Sequence, residues 1–118
     1  MIILNNNIIY KGGLTMTKCK ITVLKRTLNK ELAEEFCNGE VGQCPHLEDG
    51  QVFICENMEK PEGLCDWAWH DINSVVVAFA AGGDFSGEIF DGWMKDKNTM
   101  ITCCTDGIRP VIFKVERI

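Results

Sequence analysis

Seven cysteines in a chain of 118 residues are the feature out of proportion. Four of them carry the chemical interest: Cys44, Cys65 and the adjacent pair Cys103 and Cys104, with His46 and His70 close to the first two in sequence. Thiolates, alone or with imidazole, can close tetrahedrally around zinc or carry an iron–sulfur cluster. On that metal alternative the ligands are Cys44, Cys65 and Cys104, completed by Cys37 or His46. The paired Cys-x-x-Cys knuckle is missing, since Cys37 and Cys44 enclose six residues and Cys44 and Cys65 enclose twenty. Cys103 and Cys104 point to opposite sides of a regular strand, so both cannot enter one site.

The thiol reading needs fewer coincidences and leads. Cys65 precedes a helix start, where the dipole favours thiolate while the Asp66 carboxylate opposes it. Cys104 is expected beside Arg109, a fixed cation that also favours thiolate and can instead grip a carboxylate or phosphate. The expected site therefore has Cys104 and Cys65 as candidate thiols, with Arg109, Trp67, Cys44 and Asp106 as ligand-binding residues. Cys19 and Cys55 fall in strand-like segments and read as small apolar core residues. Trp67 and Trp69 lie about 200° apart on a helix. Trp69 follows the apolar stripe into the core, leaving Trp67 for a cavity or an interface. His70, sharing a face with Asp66 and Asn73, reads as a surface residue.

These residues must be positioned by a small number of elements. Residues 17–27 alternate, with Cys19, Ile21 and Val23 on one face and Lys18, Lys20 and Thr22 on the other, which predicts a half-buried strand. Asn29 can cap a short helix over 30–37 whose Leu32, Ala33 and Phe36 form an inward stripe. Residues 51–56 form a second strand. Asp66 can cap a helix running to about residue 81, with Trp69, Ile72, Val76 and Phe79 at helical spacing, stopped by Gly82 and Gly83. Residues 84–97 are an irregular connection, and 99–104 and 109–117 are strands joined around Asp106-Gly107. The order β-α-β-α-β-β predicts a single α+β domain: a four-stranded, mainly antiparallel sheet with two helices on one face. A four-residue hairpin connection, 105–108, makes Cys104 and Arg109 cross-strand neighbours and keeps Pro110 off a position needing an N–H.

The motifs Lys20-Ile21-Thr22-Val23-Leu24-Lys25-Arg26, Cys44-Pro45, Gly63-Leu64-Cys65-Asp66-Trp67-Ala68-Trp69 and Cys103-Cys104-Thr105-Asp106-Gly107-Ile108-Arg109-Pro110-Val111 resemble a small family of conserved bacterial and archaeal proteins to which no activity is attached. Residues 86–92 look like an insertion relative to that family. The resemblance implies a shared fold and a start near Met16. Coding logic agrees: residues 2–11 can be written in A and T alone, and Lys11-Gly12-Gly13 can encode a ribosome-binding site. Residues 1–15 are therefore expected to be a translated leader or an extension, ahead of a domain over 16–118.

Charge and composition exclude whole classes. Twelve Lys and Arg against seventeen Asp and Glu give a net charge of -5. No cationic cluster suits nucleic acid or an anionic membrane. Phosphate-binding loops, dinucleotide-binding glycines and HExxH are absent. An odd cysteine count without an export signal points to a reducing cytoplasm. The expected function is a small cytoplasmic thiol-bearing or ligand-binding module, with a small anionic ligand, a partner protein or a second copy as partner. No cofactor or reaction is assigned. The alternatives are a zinc or iron–sulfur protein and a non-catalytic interaction module presenting Trp67.

Overall fold

Alternating apolar residues build a sheet and a 3.6-residue apolar stripe covers it. The computed structural model describes residues 18–118, together with the backbone of two short strands, β1 (Ile2–Leu4) and β2 (Asn7–Ile9), which pair antiparallel. The expected start at Met16 lies outside the described residues. Then follow β3 (Cys19–Arg26), α1 (Lys30–Phe36), β4 (Val52–Cys55), α2 (Asp66–Ala80), a 3-10 turn (Glu88–Phe90), β5 (Thr99–Cys103) and β6 (Val111–Arg117). Each expected element forms, with ends within two residues of those read from sequence. β3 to β6 make one antiparallel sheet in the order β4-β3-β6-β5, so the chain is an α+β domain.

Helix α2 lies on one face of this sheet, against β3, β5 and β6. Its Ala68, Ile72, Val76 and Phe79 meet Ile21, Val23, Phe113 and Val115, all essentially inaccessible to water. Each such aliphatic or aromatic side chain contributes about 1.5–3 kcal/mol when fully buried. No polar or charged residue among those described is buried with them. Trp69 packs against this core, as its place on the stripe requires. On the other face Val52, Ile54 and Ile101 stay half exposed.

Helix α1 departs from expectation. Only Ala33 is buried, while Leu32 is 43% and Phe36 72% exposed. A seven-residue helix is too short to hold itself by its own hydrogen bonds, and this one is held at its entrance instead. Asn29 occupies the N-cap position but makes no capping bond. Its Nδ2 donates to Gly107 O at 2.6 Å and its backbone N–H to Ile108 O at 2.7 Å. The helix is thus tied to the β5–β6 connection, and of the two helices only α2 covers the sheet, with Leu47 and Leu64 from the loops beside it.

The far end of α2 is closed twice. Gly82, at φ +89°, donates to Phe79 O, and Gly83 donates to Ala78 O. That is the paired termination which favours glycine, because the left-handed conformation penalises a Cβ. Arg117 of β6 then donates through Nη1 to Phe79 O at 3.1 Å and Gly83 O at 2.7 Å, and through Nε and Nη2 to Asn98 Oδ1. Its guanidinium also sits 5.1 Å from the Phe79 ring centre. A cation on these carbonyls complements the helix dipole. The connection expected to be irregular is organised around Phe85, edge-on to both Phe79 and Phe90.

Two strand details differ from the simple alternation. β3 pairs Val23 with Phe113 but Lys25 with Ile112, so Leu24 is an extra residue, a bulge. Beyond it Arg26 lies opposite Val111, on the face that α2 covers. The β5–β6 register pairs Cys103 with Ile112, two residues away from the expected pairing, and the connection is longer. Asp106 Oδ1 accepts from Ile108 N at 2.8 Å and from Arg109 N at 3.2 Å, which consumes both residues in a turn. Pro110, with no N–H to give, offers its carbonyl to Thr27 N and Oγ1 outside the ladder. Cys104 and Arg109 are therefore not cross-strand partners. A two-residue shift keeps side chains on their faces, so the expected facing of Cys103 and Cys104 holds.

Two measurements check these energetics. Arg117→Met should lower the unfolding free energy by about 2–3 kcal/mol in urea, the scale of charged hydrogen bonds at a helix end. Cys19 and Cys55, opposite each other in β3 and β4 and each 1% exposed, make the second test. Burial, reinforced by the neighbouring Cys19 and Glu59, pushes the Cys55 thiol up to about 11. Burial raises Cys19 as well, against the pull of Arg117. The folded state then holds protons that the unfolded chain, titrating near 8.5, has released. Stability should fall as pH rises from about 8.5 to 11, and Cys55→Val should flatten that fall in pH-dependent denaturation.

Candidate functional site

The sheet end nearest the start of α2 holds a cavity of about 180 Å³. Its walls include the three cysteines Cys44, Cys65 and Cys104, together with Arg109, Asp106 and Trp67. Leu47, Ala68 and Val111 supply aliphatic surface, and His46 stands at the edge. The residues singled out from sequence as thiols and ligand-binding groups thus line one space, although they come from three separate parts of the chain. Larger hollows along α1, of about 380 and 400 Å³, are lined by Lys30 with Glu31 or Glu34 and bring no cysteine together.

Each side chain has an identifiable anchor. Cys65 is the N-cap residue of α2, one position before the expected cap at Asp66, and no side chain caps the first turn. Asp66 instead pairs with Lys60 Nζ at 2.9 Å, and the same Nζ donates to Leu64 O at 2.7 Å, which braces the chain as it enters the helix. Gly63, at φ +86°, makes the turn that precedes them. Ala68 and Trp67 follow in the first turn, Ala68 buried and Trp67 59% exposed at the cavity wall.

Cys104 continues from the end of β5. Its N–H donates to Val111 O at 3.1 Å, and Val111 N donates back to Cys104 Sγ at 3.3 Å. The sulfur stands where a carbonyl would close the ladder, so its rotamer is held. Asp106 has two duties: one oxygen fixes the turn, and the other lies 3.5 Å from Arg109 Nε. The two terminal amino groups of Arg109 have no protein acceptor among the described residues. This pair is partly exposed, so its attraction is modest, at about 0.2–1 kcal/mol. Its value is positional: it keeps the guanidinium beside the turn at the cavity.

Cys44 is held by a residue that the sequence reading missed. Arg26 Nη1 donates to Cys44 O at 3.2 Å, its Nε and N–H both reach Asp49 Oδ1, and Gln43 Nε2 returns to Arg26 O. Strict alternation places Arg26 on the open face; the bulge at Leu24 turns it to this side. The sequence signal was faint, since a bulge at an aliphatic residue has no signature of its own.

The remaining cysteines lie elsewhere. Cys19 and Cys55 are core residues; Cys55 Sγ donates to Glu59 O at 3.0 Å. Cys103 is exposed on the opposite sheet face, and Cys37 ends α1, away from the cavity wall. Among the described residues no three His, Cys, Asp or Glu side chains group closely enough to hold a metal ion. The set Cys37, Cys44, Cys65 and Cys104 thus does not close around one, and Cys37 does not line the cavity that the other three share. His70 is exposed on α2, as expected. No described helix is long and apolar enough to cross a membrane.

An α+β domain with an apolar, thiol-lined cavity and one guanidinium is the class that fold and site define. No protein family, no curated protein and no solved structure matches the chain.

Asp106→Ala, which removes the acceptor of two backbone N–H groups, should cost about 1–2 kcal/mol in denaturant unfolding. Asp106→Asn, which keeps an oxygen there, should cost less than half of that. Iodoacetamide labelling of the folded protein, mapped by mass spectrometry, should modify Cys103 first and Cys19 and Cys55 last, with Cys44, Cys65 and Cys104 between them.

Proposed function

We propose that this protein is a small thiol-bearing, ligand-binding module of the cytoplasm, whose cavity takes a small anionic ligand beside Cys44, Cys65 and Cys104. The observation that carries the reading is the convergence of three thiols, remote in sequence, with Arg109 and Trp67 around one space. Arg109 supplies the anion contact with the amino groups that Asp106 leaves free. The uncapped first turn of α2 adds partial positive charge on the same wall. Trp67 contributes a flat apolar surface that excludes water from the bound ligand.

The thiols can act in two ways. As weak donors and soft apolar groups they shape the wall. As nucleophiles they stand within the same space as any bound electrophile. The net charge of -5 and the lack of a cationic cluster argue against nucleic acid as the partner. A second reading, a surface for a partner protein or another copy, is favoured by Trp93, 68% exposed, and Ile89, 86% exposed, on the connection after α2. Sedimentation of Trp93→Ala beside the unaltered protein tests it: an oligomer lost in the variant supports that surface.

For the leading reading, thermal-shift measurements with phosphate, sulfate and short carboxylates at constant ionic strength should find at least one stabilising anion. Arg109→Gln should weaken that anion about tenfold or more, as expected for a lost charge-assisted pair. Stabilisation that survives the substitution unchanged would remove Arg109 from the site.

A further inference from the structure

We infer that the ligand is a compact monocarboxylate of about six to nine non-hydrogen atoms in all, with an apolar body, an aromatic or branched aliphatic acid being the class. This rests on the cavity reading above and narrows it by size, charge and wall chemistry. A cavity of about 180 Å³ is slightly larger than the roughly 150 Å³ space that holds benzene. A ring or branched chain bearing one carboxylate fits that volume, and a whole nucleotide or peptide would extend beyond it.

The wall sorts the remaining anions. Apart from the Asp106–Arg109 pair and His46 at the edge, it is made of Leu47, Ala68, Val111, Trp67 and sulfur. Thiols are weak hydrogen-bond partners. A phosphate or sulfate needs strong donors for each of its oxygens, and those left unpaired cost desolvation energy. Here the one full charge is a guanidinium, with its Nε already facing Asp106 at 3.5 Å, and the uncapped first turn of α2 adds only a partial one. A second negative charge on the ligand would stand beside the Asp106 carboxylate with only the partial charge of the α2 first turn to offset it. A single carboxylate needs only two parallel N–H donors, which the terminal amino groups of an arginine provide. The rest of such a ligand is apolar and gains by covering Trp67 and the aliphatic wall.

The same geometry supplies the test. A ligand of this kind lies against Cys44, Cys65 and Cys104 and cannot touch Cys103, exposed on the other sheet face. Cys103 therefore serves as a control inside the protein. The full chain is labelled with iodoacetamide in the presence of benzoate, isovalerate, phosphate, sulfate or benzyl alcohol, at matched ionic strength, and each cysteine is quantified by mass spectrometry. Benzoate or isovalerate should slow labelling at the three cavity cysteines and leave Cys103 unchanged. Arg109→Gln should abolish the protection, and Arg109→Lys, which keeps the charge and loses the planar fork, should retain part of it. Circular dichroism confirms that both variants are folded.

Protection by phosphate or sulfate without protection by the acids would overturn the inference and leave the anion site standing. Equal protection by benzyl alcohol would overturn it too, since the carboxylate would then contribute nothing. Slowing that includes Cys103 to the same degree also counts against it, as an effect on the reagent. Protection by none of the five would end both the inference and the cavity reading.

Discussion

Arg117 holds the C-terminal carbonyls of α2 against β6 while the apolar stripe of the helix lies on the sheet, and these two contacts together leave α2 one position. Burial alone is permissive, because an apolar stripe can slide or rotate over an apolar sheet with small loss. A guanidinium with fixed acceptors at Phe79, Gly83 and Asn98 is directional. It fixes the helix along its axis, and so fixes how far the first turn reaches beyond the sheet at the opposite end. The cavity exists because that first turn, with Cys65 and Trp67, stands over the ends of β5 and β6.

The cavity end is organised differently. Its anchors are polar bonds between loops: Asn29 to Gly107, Thr27 to Pro110, Arg26 to Cys44 and Asp49, and Asp106 to its own turn. Each is individually modest and most are partly exposed. The molecule thus pairs a dry core, which carries stability, with a rim of hydrogen-bonded loops, which carries the thiols. Loops positioned by a rigid scaffold are where binding groups are generally found. Substitutions at the rim are expected to change the shape of the site more than the stability of the domain.

Much of this arrangement can be read from residue order. The strands and α2 follow from alternation and helical spacing, since Ile21, Val23, Phe113 and Phe79 have no alternative burial. The gathering of Cys44, Cys65 and Cys104 near Arg109 was also legible, because a hairpin end and a helix start in a small domain have few places to meet. What was not legible depended on single hydrogen bonds. Asp106 chose a longer turn by accepting from Ile108 and Arg109, and pattern does not rank that against a tighter hairpin. The stripe on α1 misled because Leu32 and Phe36 have the right spacing but no surface to meet. The tie from Asn29 to Gly107 joins residues far apart in sequence and leaves no periodic trace.

The bulge at Leu24 bears on how this chain can tolerate change in length. One supernumerary residue reverses the facing of everything that follows it in β3, and Arg26 is the side chain so redirected. Deleting Leu24 would regularise the strand and leave Arg26 opposite Val111, whereas drawing Leu24 into the ladder would turn the guanidinium that grips Cys44 toward the far side. In the second case the sheet would keep its hydrophobic pairing up to Val23, and the loss would fall on the loop carrying the thiol. A register of this kind makes the loss of one codon at the bulge tolerable and its absorption into the ladder a lesion of the pocket, so in β3 the pairing of residues constrains the site as strictly as their identity does.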